Sequence, residues 1–188
     1  FVYEPLVKSS DWSLAKILVL SQTKFGWKRW IPMLTFSFDM TVGGGRLASF
    51  HLSNLTFHFL TSLAVFFLIR SLASWQAVRA PANSRQPAPW HVALWTAGLW
   101  ELHPVQTKAV TYLVQRMASL VTLFSVLSVA FYVIARTLME TENGKLGLRA
   151  ALLMGGSLIC MGFAFLCKQN SFILPVLLLF TEAWFFRT

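Results

Sequence analysis

An all-α, polytopic bundle of membrane helices is the fold class this sequence predicts, and three observations predict it. Hydrophobic residues make up 56% of the chain and charged residues 12%, with a mean hydropathy of +0.60, whereas soluble domains are roughly half apolar and a quarter charged. The apolar residues fall into about five runs near the ~20 residues that a helix needs to cross hydrocarbon. Basic residues and prolines gather between the runs, as loops at a bilayer surface require.

The elements follow in order. Residues 1–46 read as an extracytoplasmic loop with amphipathic surface helices. Ser10 or Asp11 can cap a helix through SLAKILVLSQ, and Pro32 suits the first turn of a second through MLTFSFDMTV, ended by Gly43, Gly44 and Gly45. Residues 47–188 read as the transmembrane bundle. Its spans are expected near 47–69, 90–103, 117–136, 149–166 and 172–186, the first closed by Arg70 and the third by Arg136. The second is short and needs Pro89 and the surroundings of His103 to reach across. Lys168, Gln169 and Asn170 divide the last two, which makes them a helical hairpin or a broken helix.

The formal charge of +9 is spread over loops instead of one face, which suits a membrane protein and argues against a nucleic-acid partner. Arg70, Arg79 and Arg85 lie in a stretch without acid, RAPANSRQPAP included, so this loop is expected on the cytoplasmic side. Arg136, Lys145, Arg149 and Arg187 join it if the spans alternate. Residues 1–46, the segment from His103 to Arg116, and Lys168 then face the other side. The opening FVYEPLVKSSDW has neither the basic stretch nor the apolar core of a removable leader, and a further span is expected upstream of it. Cys160 and Cys167 sit about 10.5 Å apart along one helix axis, too far for a disulfide; they read as small buried apolar residues.

Two groups of polar residues point to function. His51, Asn54 and His58 stand at i, i+3 and i+7 of the first span and share a face, where they serve helix-to-helix hydrogen bonding, line a cavity, or ligate a metal. The spacing of the two histidines disfavours a shared ion. The second group lies in ELHPVQTKAVTYLVQRMASL, residues 101–120. A helix continuing from Pro104 would align Lys108, Tyr112, Gln115, Arg116 and Ser119 in one cationic stripe. Such a stripe either snorkels to headgroups or holds an anionic group, for which a lipid-linked phosphate is the fitting candidate.

The string ELHPVQTKAVTYLVQRMASLVTLFSVLSVAFY resembles a hallmark of bacterial membrane proteins that carry an integral-membrane domain followed by tetratricopeptide repeats. These are similar to the transmembrane and tetratricopeptide-repeat O-mannosyltransferases, of the C-type glycosyltransferase fold. RWIPMLTFSFDM, SFHLSNLTFHFL and CKQNSFILPVLLLFTEAWFF resemble three further stretches of that family, in order. The resemblance implies a transferase moving a sugar from a polyprenyl-phosphate donor to a protein or glycan acceptor, at the extracytoplasmic face of a bacterial inner membrane.

It implies Glu4 as catalytic base or metal partner, which leaves room for a divalent cation, although no metal ligands are assigned. Lys168, Arg116, Lys108 and His103 are the residues expected at the donor phosphate. His51, Asn54, His58, Gln115 and Glu101 are expected to line the cavity. The chain also departs from the pattern. Pro5 stands where a second acid is usual, Lys108 where an acid or amide is common, Gln169 where Glu is usual, and Glu101 where the residue is normally small and apolar. A non-catalytic lipid-binding or scaffold module and a transporter component are therefore competing expectations.

Overall fold

The computed structural model describes residues 29–81, 83, 85–141 and 145–187. Among them all regular structure is helical, and four helices are long and apolar enough to cross a membrane. The surface helix expected over SLAKILVLSQ lies outside the described residues.

Helix α1, Trp30–Val42, carries Pro32 in its first turn, where a missing amide costs nothing. Gly44 and Gly45 take φ of 60° and 69°, a left-handed turn that glycine enters freely. Gly43 is required for space, because a Cβ there would overlap the Ser49 side chain. Helix α2, Leu47–Arg79, follows at once. Its 33 residues give about 50 Å of rise, well beyond the ~30 Å hydrocarbon core.

The expected end of the first span, at Arg70, is where lipid-compatible sequence stops, but the helix runs on to Ala80, which turns extended before Pro81. The same holds for α5, Arg116–Thr141, which continues past Arg136. A charged residue marks the bilayer edge; the backbone ends only at a breaker.

Helix α3, Pro89–Leu102, starts with proline in its first turn and has 14 residues, about 21 Å. It stops because His103 is extended (φ −66°, ψ 129°) ahead of Pro104. The next segment is not the single rod expected from Pro104. A 3₁₀ turn, Pro104–Gln106, leads to the short helix α4, Thr107–Thr111. Tyr112 is then extended (φ −94°, ψ 115°) and a second 3₁₀ turn, Leu113–Gln115, leads into α5. The cationic stripe is thus cut at Tyr112: Lys108 belongs to α4, Gln115 to the second 3₁₀ turn, and Arg116 and Ser119 to α5.

Helix α6, Leu148–Cys167, ends where Lys168 becomes extended (φ −161°, ψ 151°). A 3₁₀ turn, Gln169–Ile173, helix α7, Leu174–Thr181, and a π turn, Glu182–Phe186, complete the chain described.

Paired side chains fix the antiparallel layout. At one end Asn54 of α2 bonds Arg116 of α5 and His58 meets Glu101 of α3. At the other end Arg79 and Trp75 of α2 hold Glu140 of α5, and Arg136 grips Glu182 bidentately at 2.9 and 2.8 Å. Midway, Ser128 and Ser157 exchange hydroxyl bonds to each other's carbonyls at 2.9 and 2.8 Å. Trp75, Val129, Val133, Ala164, Leu174 and Phe186 pack into the core between these layers.

Between 22% and 39% of each candidate span is buried within the bundle, so most of its apolar surface faces outward, toward lipid. Cys160 and Cys167 are free and buried.

Candidate functional site

A cavity of about 340 Å³ opens at the end of the bundle where α2 begins and α3 finishes. His58 and Thr61 of α2 and Trp100 of α3 form one part of its wall. Gln106, Lys108 and Ala109 come from the first part of the broken segment, Gln115 from its second 3₁₀ turn, and Ser119 and Thr122 from the start of α5. Had the segment stayed helical through Tyr112, Lys108 and Gln115 would share one rod; the break lets them enter the cavity from two elements.

The chemistry of this wall is mixed. Thr61, Ser119 and Thr122 donate their hydroxyl protons to the carbonyls of Phe57, Gln115 and Ala118 on their own helices. Each therefore keeps oxygen lone pairs to offer a ligand. The amides of Gln106 and Gln115 add donors and acceptors, and the Lys108 ammonium adds a positive charge. Lys108 and Gln115 are exposed, and the four ion pairs among the described residues leave Lys108 without an acidic partner. The site can thus accept hydroxyl protons and hold an anionic group together.

Arg116 stands differently from the expectation of a phosphate ligand. Its side chain is 0% exposed and pairs at 2.6 Å with Asp39 of α1, itself 3% exposed. Its Nε donates to Asn54 Oδ1 at 2.7 Å and its Nη2 to the Phe50 carbonyl at 2.8 Å. Phe36 covers the guanidinium at 4.2 Å from the ring centre, and Ser53 Oγ donates to Asp39. A buried guanidinium needs a counter-charge and full hydrogen bonding. Asp39 supplies the first, and the turn at Tyr112 points the side chain inward toward it.

The same network holds the broken segment in place. Asn54 Nδ2 and His51 Nδ1 both reach the Val110 carbonyl, at 3.2 and 3.3 Å. A carbonyl only accepts, so His51 must carry its proton on Nδ1. The two side chains occupy an acceptor that the end of α4 leaves without a helical partner. They bond between segments and do not line the cavity.

His58 lines the cavity and stacks on Trp100 at 4.9 Å between ring centres. Its Nε2 lies 3.2 Å from the Glu101 carbonyl oxygen and 3.3 Å from Glu101 Oε2. His103 accepts a hydrogen bond from the Val105 amide on Nδ1, at 3.2 Å, and so caps the 3₁₀ turn after α3. Lys168, half-buried, shares this end of the bundle but is not part of the cavity wall; its carbonyl accepts from Ser171 Oγ at 2.7 Å. Glu4 lies outside the described residues.

Among the described residues no three His, Cys, Asp or Glu side chains come together to hold a metal ion. Asp39, Glu101, Glu140 and Glu182 each answer a basic partner, so the described carboxylates do not form a divalent-cation site.

Asp39 and Trp100 were not among the residues singled out from sequence. Asp39 left one signal, being the only acid between Asp11 and Glu101 and set within an apolar helix that would bury it. Trp100 left none, since a tryptophan beside a span end reads as an interfacial anchor.

These features define an all-helical membrane protein with a polar, cationic cavity at one end of its bundle. Comparison with protein-family models, with curated proteins and with solved structures gives no match.

Proposed function

We propose that this chain is a membrane glycosyltransferase. It would move a sugar from a polyprenyl-phosphate donor to a protein or glycan acceptor at the extracytoplasmic face of a bacterial inner membrane. The observation that carries the reading is the cavity with Lys108 in its wall. At about 340 Å³ it falls at the lower end of ligand pockets, roughly 300–1,000 Å³, which suits one sugar-phosphate head with the prenyl chain left in lipid. Hydroxyl and amide side chains match the sugar hydroxyls, and Lys108 matches the phosphate. The order of motifs through the chain adds the resemblance to tetratricopeptide-repeat O-mannosyltransferases.

In this reading Lys108 stabilises the departing lipid phosphate as the anomeric C–O bond breaks through an oxocarbenium-like state. Lys168 at the same end adds positive potential, and Glu4, by the resemblance, is a candidate base. Arg116 acts by holding the segment that presents Lys108. The test is transfer from a radiolabelled polyprenyl-phosphate sugar in reconstituted membranes. Lys168→Ala should lower transfer at unchanged expression, and Glu4→Gln decides which group takes the acceptor proton: loss of transfer assigns it to Glu4, and retained transfer assigns it to another base.

A second reading is a lipid-binding scaffold that uses the same cavity without chemistry. The placement of every described carboxylate against a basic side chain favours it. A polyprenyl-phosphate sugar that binds but is never turned over would decide for it.

A further inference from the structure

We propose that His58 is the base that removes the acceptor's hydroxyl proton, with Glu101 as the positioning residue that sets its tautomer; the inference rests on the transferase reading above. The resemblance does not supply this pair. It assigns deprotonation to the position of Glu4 and expects a small apolar residue where Glu101 stands.

The tautomer follows from geometry. The hydrogen bond of His58 Nε2 goes to the main-chain carbonyl of Glu101 at 3.2 Å, and Glu101 Oε2 lies 3.3 Å away without making a hydrogen bond. A carbonyl cannot donate, so Nε2 carries the proton. In the neutral ring Nδ1 is then the lone pair, and it makes no hydrogen bond with any described residue. Stacking on Trp100 at 4.9 Å fixes the ring plane, and the ring belongs to the wall that also holds Lys108.

When the ring becomes cationic, the Glu101 carboxylate is already beside it. Its side chain is 23% exposed against 6% for His58, so water screens this attraction only in part. A histidine held on one nitrogen by an acceptor, with a carboxylate beside it, and basic on the other is the arrangement that activates hydroxyl nucleophiles in acyl transfer.

The step balances. The acceptor O–H proton passes to Nδ1, and the oxygen pair forms the new bond to the anomeric carbon. The anomeric carbon–phosphate oxygen bond breaks with its electron pair, releasing polyprenyl phosphate beside Lys108. No oxidant or further reactant is needed.

A purely architectural role, joining α2 to α3, makes a different forecast. His58→Gln keeps an amide donor toward Glu101 but has no base; Glu101→Gln keeps the main-chain carbonyl that holds Nε2 but loses the charge. We expect His58→Gln to lower kcat about a hundredfold or more, the range of general-base contributions. KM for the donor, and binding of polyprenyl phosphate followed by native mass spectrometry, should stay within twofold. Glu101→Gln should lower kcat about tenfold with the same unchanged KM.

If the wild type transfers sugar and His58→Gln does so at full rate, the dyad is overturned while the transferase reading stands. If either variant loses phosphate binding in step with kcat, the pair is architectural and the proposal again falls. A wild type that binds polyprenyl phosphate but transfers nothing overturns the dyad together with the transferase reading and leaves the lipid-binding one.

Discussion

Replacing Arg116 by methionine separates the two roles open to a cation in the 101–120 segment. In the structure its guanidinium is fully buried, paired with Asp39 at 2.6 Å, bonded to Asn54 and to the Phe50 carbonyl, and covered by Phe36. Methionine fills much of the volume but leaves Asp39, 3% exposed, as an unanswered buried carboxylate. Stranding one half of a buried pair costs about 3–5 kcal/mol, so the unfolding equilibrium should move by between two and four powers of ten at ~1.4 kcal/mol each.

Removing both charges, as in Asp39→Leu with Arg116→Met, relieves that penalty. The double variant should lie within about 1–2 kcal/mol of the parent, since apolar replacement of a whole buried pair is often neutral. With Asp39→Leu alone stranding the guanidinium at a similar cost of about 3–5 kcal/mol, the coupling energy of the cycle is roughly 4 kcal/mol or more. Reversible unfolding in mixed micelles, followed by helical circular dichroism, measures all four corners. An Arg116→Met variant within about 0.5 kcal/mol of the parent, yet with weakened polyprenyl-phosphate binding, would refute the reasoning. That pattern belongs to a ligand-binding arginine.

Three further outcomes are expected. Lys108→Gln should weaken binding of polyprenyl phosphate about tenfold to a hundredfold, the worth of one charge-assisted hydrogen bond of ~1.5–3 kcal/mol, with little change in stability because Lys108 is exposed; titration with native mass spectrometry reads it. Ser128→Ala with Ser157→Ala should destabilise the bundle by about 1 kcal/mol, twice the ~0.6 typical of a hydrogen bond between membrane helices, in the same unfolding assay. Single cysteines at Arg85 and Thr107 should be labelled from opposite faces of sealed vesicles by an impermeant maleimide, while Cys160 and Cys167 stay silent because they are buried; labelling of both from one face would contradict the antiparallel layout.

The helical bundle was legible because hydropathy, proline and glycine act locally. Pro89 opens α3, Gly43 to Gly45 close α1, and the polar triplet at Lys168 coincides with the end of α6. Helix lengths were less legible. Arg70 and Arg136 carry information about where lipid stops, whereas the backbone bonds of α2 continue to the extended residue before Pro81 and those of α5 run on to Thr141.

The site was legible in its residues and not in its wiring. Periodicity placed His51, Asn54 and His58 on one face, but it cannot say that two of them reach Val110 and the third reaches Glu101. The break at Tyr112 could not be read either, since nothing in TYLVQ forbids a helix. It is favoured by what it lets Arg116 reach, and Asp39 lies 77 positions earlier in the chain.

The reciprocal bond between Ser128 and Ser157 lies near the midpoint of both α5 and α6. Water is scarce there, so a slip of one residue would part both hydroxyls from their cross-helix acceptors with no water to replace them. The two helices are thereby pinned in rotation and in height at their centre, as a lever is pinned at its pivot. From that pivot one arm of α5 carries Arg116 and Ser119 toward the cavity, and the other carries Tyr132 and Arg136 to Glu182. Two neutral serines thus set the registration of every charged contact that α5 makes at either face of the membrane.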